Sequence, residues 1–71
     1  MTLNLHRSRT KEYGIGAVVV YRHTNEVGLV HRTNAQWVFV KFLDDIARLS
    51  YNGATAKACL PEQLQYIGSS L

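Results

Sequence analysis

The sequence has few of the residues and segments that cross-link small proteins by disulfides or attach them to membranes. Its 71 residues include one cysteine, one proline and one methionine. A single cysteine, Cys59, excludes an internal disulfide, so the apolar core alone must stabilise the fold. The longest apolar run, residues 17–21, is far too short to cross a bilayer, and no apolar signal-peptide core follows the basic residues near the N terminus. These absences predict a cytoplasmic domain without membrane association.

Charged residues are also scarce, at 18% of the chain against 46% apolar residues. That balance is typical of a folded protein and excludes an extended disordered chain. The length leaves room for one domain, near the lower limit for folding alone. The charge is uneven, because residues 1–41 hold six basic and two acidic side chains, whereas residues 42–71 hold two basic and three acidic ones. A basic first half permits nucleic-acid contact, although a net charge of +3 is equally an ordinary aid to solubility.

Short runs of β-branched and aromatic residues alternate with turn residues, which is typical of an antiparallel meander. The predicted strands are 17–22, 27–32, 37–43, 55–59 and 65–67. Between the third and fourth strands we expect a loop or a single helical turn over 44–49. A tight turn at Asn52-Gly53 should follow, because both residues tolerate positive φ. Pro61 ends the fourth strand and begins one turn of 3₁₀ helix.

Alternation along the third strand divides its side chains between two faces. The inward set is Val38, Val40 and Phe42, together with Val19 and Val30. The outward set is Trp37, Phe39 and Lys41, together with Leu29 and His31. Val40→Asp should therefore prevent folding, whereas Lys41→Asp should be tolerated. An apolar second face needs a cover, which could be the N-terminal arm, the segment 43–54, a second copy of the chain or a ligand.

Residues 14–67 contain four short patterns in a fixed order. These are a glycine-bounded strand, Gly-x-Val, Val-x-Val-x-Phe and Pro-x-x-Leu. The residues that carry this pattern are Gly16, Val19, Gly28, Val30, Val38, Val40, Phe42, Pro61, Leu64 and Ile67. The pattern resembles SH3-like barrels of the KOW type, and the resemblance implies an all-β, five-stranded barrel with one 3₁₀ turn before the last strand. Residues 1–13 would then be a polar arm and 68–71 a frayed end. The segments 38–42, 51–55 and 58–64 look like small phage and prophage proteins.

No group of residues has the spacing of a catalytic or metal site. Potential metal ligands such as His6, His23 and Cys59 are far apart in the chain, without CxxC or HxxxH spacing. Asp44 and Asp45 are adjacent, so in an extended segment their carboxylates point apart. The small barrels of plasmid-type dihydrofolate reductases place Gln-Ile-Tyr before a proline, but here Ala-Cys-Leu precedes Pro61. The sequence predicts a protein that is not an enzyme and that uses no cofactor or metal.

Basic and aromatic residues interleave along the first two predicted hairpins. SH3-like barrels often bind nucleic acid through such a surface, where arginine meets phosphate and a ring stacks on a base. The candidate binding residues are Arg22, His31, Arg32, Trp37, Phe39 and Lys41. The sequence thus predicts a small binding module of phage or prophage origin with nucleic acid as its partner. A host protein, docking on Trp37 and Phe39 or on an edge strand, and a homo-oligomer remain open alternatives.

Overall fold

A computed structural model describes residues 13–69 as one antiparallel sheet with a short helix against its outer face. The strands are β1 (Ala17–Tyr21), β2 (Glu26–Thr33), β3 (Val38–Phe42), β4 (Lys57–Cys59) and β5 (Leu64–Ser69). Their order in the sheet is β4-β3-β2-β1-β5. The prediction of a mainly β domain is confirmed. No ladder joins β4 to β5 within residues 13–69, so the sheet is open where a closed barrel was predicted.

The core lies on the face of the sheet that alternation assigns to the interior. Its largest fully buried side chains are Val19, Val30, Val38, Val40 and Leu64. Tyr13 and Cys59 belong to the same cluster. The Tyr13 hydroxyl lies 3.3 Å from the carbonyl oxygens of both Pro61 and Leu64, which ties the start of the described chain to the start of β5. Tyr13 is therefore part of the folded domain rather than of the polar arm, whose residues 1–12 lie outside the described residues.

The segment after β3 is a helix, α1 (Leu43–Gly53), where a loop or one helical turn over 44–49 was predicted. Asp44 and Asp45 occupy its first turn, where carboxylates interact favourably with the positive end of the helix dipole. The helix is interrupted at Ser50, which has φ 72° and ψ 166°. The Ala54 N–H donates to the Ser50 carbonyl oxygen at 3.0 Å and so closes the last turn. The tight turn predicted at Asn52-Gly53 is wrong, because the chain changes direction at Ser50 instead.

The last two strands differ in length from their predictions. β4 covers Lys57–Cys59 and is shorter than the predicted 55–59. The 3₁₀ helix (Pro61–Gln63) lies where the proline predicted it, with the Gln63 N–H donating to the Leu60 carbonyl oxygen at 2.9 Å. β5 continues through Gly68 and Ser69, which were assigned to a frayed end. Residues 70–71 of that end lie outside the described residues.

Gly28 allows β2 and β3 to approach each other closely. It pairs with Phe42 across the ladder and is buried. A Cβ atom at this position would clash with Val40 Cγ1 and would lie 3.1 Å from the Lys41 carbonyl oxygen. The absence of a side chain at Gly28 is therefore a packing requirement of this strand pair.

We expect Gly28→Ala to lower the free energy of unfolding by about 1–3 kcal/mol, because an extra methyl group forces a filled core apart. Urea unfolding followed by circular dichroism measures this change. Gly14→Ala is the matched control, since nothing lies within 4 Å of the added atom there. Equal effects of the two substitutions would contradict the close approach at Gly28.

Candidate functional site: the outer face of β2 and β3

A bulge in β2 brings two successive side chains to the outer face of the sheet. The register passes from Val30 opposite Val40 to Arg32 opposite Phe39, so His31 and Arg32 together face one residue of β3. The Arg32 guanidinium carbon lies 4.4 Å from the centroid of the Phe39 ring. At this distance the cation and the ring attract each other. The bulge therefore creates a cation–π pair on the outer surface.

Lys41 also belongs to the outer face, but α1 covers it. Only 7% of Lys41 is exposed, although Lys41 is one of the six candidate binding residues. Its Nζ donates to the Tyr51 carbonyl oxygen at 2.7 Å and lies 4.1 Å from the centroid of the Tyr51 ring. The last turn of α1 contains no basic residue, so Lys41 supplies the cation that this negative end of the helix favours. The ammonium group is thus used within the fold and is not presented to a ligand.

Tyr51 also contacts His31, and so links α1 to β2 as well as to β3. His31 Nδ1 lies 3.1 Å from the Tyr51 hydroxyl oxygen, and the two ring centroids are 6.0 Å apart. The segment 43–54 was one of the covers considered for the second face of the sheet. It contains α1, which lies over His31 and Lys41 on that face. The sequence did not indicate Tyr51, because its partners are 10 and 20 residues away along the chain.

Trp37 lies one residue before β3, at the turn that joins β2 to β3. The Asn34 side-chain oxygen accepts the N–H groups of Gln36 and Trp37 at 2.9 and 2.7 Å. The Asn34 N–H in turn donates to the Trp37 carbonyl oxygen at 3.0 Å. These bonds fix the backbone of Trp37 close to the end of the sheet that carries Arg32. The indole itself is partly buried.

Arg22 is separated from the other candidate residues. It lies in the turn between β1 and β2, at the far end of β2 from Arg32, and its backbone N–H donates to the Gln63 carbonyl oxygen at 2.8 Å. The structure therefore brings together four of the six predicted binding residues. We call this surface the open face: His31, Arg32, Trp37 and Phe39.

The carboxylates of the described residues lie away from the open face. Ion pairs join Asp45 to Arg48 at 2.8 Å and to Lys57 at 3.6 Å, and these are the pairs found in residues 13–69. The hydrogen bond from Arg48 holds the pKa of the Asp45 carboxyl below its ordinary value, and the Lys57 charge acts in the same direction. Arg48 and Lys57 share the single carboxylate of Asp45, whereas Arg32 belongs to neither of these ion pairs and has no carboxylate beside it. The open face therefore carries a positive charge that no acidic side chain of residues 13–69 offsets.

A cleft of about 290 Å³ opens at the other, acidic end of the sheet. Its lining residues are Tyr21, Glu26, Phe42, Asp44, Asp45, Lys57, Ala58 and Cys59. Burial raises the pKa of the Cys59 thiol, and its Sγ lies 3.7 Å from the Lys57 carbonyl oxygen. A thiol in this environment is not an activated nucleophile. Among the described residues there is also no group of three or more side chains that could hold a metal ion.

Comparison with known proteins finds no match to the chain among protein-family models, curated proteins or solved structures. The helices of the described segment include none that is long and apolar enough to span a membrane. The function must therefore be inferred from the residues and their geometry.

Proposed function

We propose that the protein is a non-enzymatic binding module that contacts nucleic acid through the open face. The Arg32–Phe39 pair is the observation that carries this proposal. A guanidinium group held against a ring still has its N–H donors for phosphate oxygens, because the cation–π contact uses the charge rather than a hydrogen bond. Trp37 and Phe39 are each partly exposed beside it. Because Arg32 covers one face of the Phe39 ring, bases can stack on the Trp37 ring and on the Arg32–Phe39 pair.

The charge distribution supports a weak, salt-sensitive complex. Lys41 is held under α1 and Arg22 lies at the other end of β2, so Arg32 and His31 are the basic side chains left on the open face. One or two phosphate contacts correspond to a slope of log K against log salt of about −1 to −2. This slope is shallower than a patch of four basic residues would give.

The SH3-like identity and the biological setting are part of the same proposal. The strand order, the 3₁₀ helix before β5 and the single core shared by β4 and β5 support an SH3-like arrangement. The sequence resemblance to KOW-type barrels and to small phage and prophage proteins supports an accessory protein acting in the cytoplasm. Neither an enzyme activity nor a cofactor forms part of the proposal.

We expect Arg32→Ala to weaken binding of a labelled oligonucleotide by about 1–3 kcal/mol at low salt, because the phosphate contact and the cation of the stacked pair are lost together. Fluorescence anisotropy measures the affinity. Arg22→Ala is the matched control, since it removes the same charge from an exposed site at the other end of β2. Thermal melting of each variant checks that the fold is retained. An equal loss in both variants would mean that only net charge matters, which would contradict the open face.

A protein partner at β5 is the second candidate function. β5 is an edge strand that pairs with β1 in the described part of the chain, and its residues include no charged side chain. Tyr66 and Ile67 are 53% and 52% exposed. Uncharged edge strands are the usual templates for strand addition. If oligonucleotides do not bind at low salt, sedimentation of the wild type and of Ile67→Lys tests whether a second copy pairs there.

A further inference from the structure

Resting on the proposed function, we infer that the open face selects single-stranded over double-stranded nucleic acid. The inference comes from the shape of the surface and from its content of rings relative to charges. Both features follow from how β2, β3 and α1 are arranged.

The open face has no element that could enter a groove of a duplex. Reading base edges in double-stranded DNA requires a helix or a β-ribbon inserted into the major groove. In residues 13–69 the candidates for this role are α1, which lies against the sheet, and the pair β2–β3, which β1 and β4 flank on its two sides. The bonds from Lys41 and His31 to Tyr51 hold the last turn of α1 against the sheet, at 2.7 and 3.1 Å. A duplex could therefore be contacted only through its phosphates.

Phosphate contact alone gives a duplex little affinity at this surface. The open face has one arginine, so neutralisation of phosphate releases few counterions. The aromatic rings cannot compensate, because the flat faces of the bases are buried in the stack of a duplex. In a single strand those faces are accessible, and Trp37 and the Arg32–Phe39 pair can stack on them. Stacking therefore adds to the affinity for single strands and leaves the affinity for duplexes unchanged.

The test uses two labelled probes: single-stranded oligothymidylate, and the duplex that oligothymidylate forms with oligoadenylate. Fluorescence anisotropy at low salt measures the affinity of the protein for each probe. We expect the single strand to bind about tenfold or more tightly than the duplex. Phe39→Leu keeps an apolar side chain but removes the ring, and should reduce the single-strand affinity by a larger factor than the duplex affinity. Trp37→Leu is the second variant, in case Phe39→Leu does not fold. Tyr66→Leu, which removes an exposed ring from β5, should leave both affinities unchanged.

Three results of this experiment would contradict three different parts of the proposal. Equal affinities of the wild type for single strand and duplex would overturn the single-strand selectivity and leave the proposed function standing. No binding of either probe would overturn the proposed function itself. A loss of single-strand affinity in Tyr66→Leu as large as in Phe39→Leu would overturn the assignment of stacking to the open face.

Discussion

Val40→Asp is expected to prevent the domain from folding. Val40 is fully buried opposite Val30, and the core cluster of residues 13–69 contains no charged side chain that could pair with a carboxylate. Burying an unpaired charge costs several kcal/mol, and a domain of this size has a total stability of roughly 5 kcal/mol. Far-UV circular dichroism and the dispersion of amide resonances would show the loss of structure directly.

Val20→Asp is the matched control for this experiment. Val20 lies on the outer side of β1, two residues after Val18. It is only partly buried, so a carboxylate at this position can reach water. This variant should remain folded with a modest loss of stability. If both variants unfold to the same extent, the division of the sheet into an inner and an outer face is wrong.

Lys41→Asp is expected to lower the free energy of unfolding by about 3 kcal/mol or more. The substitution buries a carboxylate beneath α1 and removes the cation that bonds the Tyr51 carbonyl oxygen and holds α1 on the sheet. Alternation alone predicts a small effect, since Lys41 points away from the core. Urea unfolding at neutral pH measures the difference.

Two further variants make the Lys41 result interpretable. Lys41→Met keeps the apolar stem and removes only the ammonium group, so it should cost less than Lys41→Asp. Arg22→Asp makes the same change of charge at an exposed turn and should stay within about 1 kcal/mol of the wild type. A cost for Lys41→Asp as small as that for Arg22→Asp would mean that α1 does not cover the outer face in solution.

The strands and their inner face could be predicted because the evidence for them is local. Val38, Val40 and Phe42 alternate with Phe39 and Lys41, and this period places them on one side whatever the neighbouring strands do. The helix α1 could not be predicted in the same way. Its described residues include none that is buried, so its position depends on Lys41 and on contacts made by its last turn.

The candidate site was predictable in composition but not in arrangement. His31, Arg32, Trp37 and Phe39 were identified from residue type, and the structure brings them to one end of the sheet. Regular alternation would have placed Arg32 on the inner face with Val30, and only the bulge returns it to the outside. A bulge has no clear signal in a single sequence, because it is set by the register between two strands.

The bulge also determines where β2 can change in length. Since His31 and Arg32 together face Phe39, the ladder contains one residue more on β2 than on β3. Deleting His31 would leave Val30 opposite Val40 and Arg32 opposite Phe39, with every remaining side chain on its present face, although the contact with Tyr51 would be lost. Deleting a residue between Val27 and Val30 would instead exchange the two faces beyond the deletion. We therefore expect position 31 to be where related chains gain or lose a residue without a change of fold.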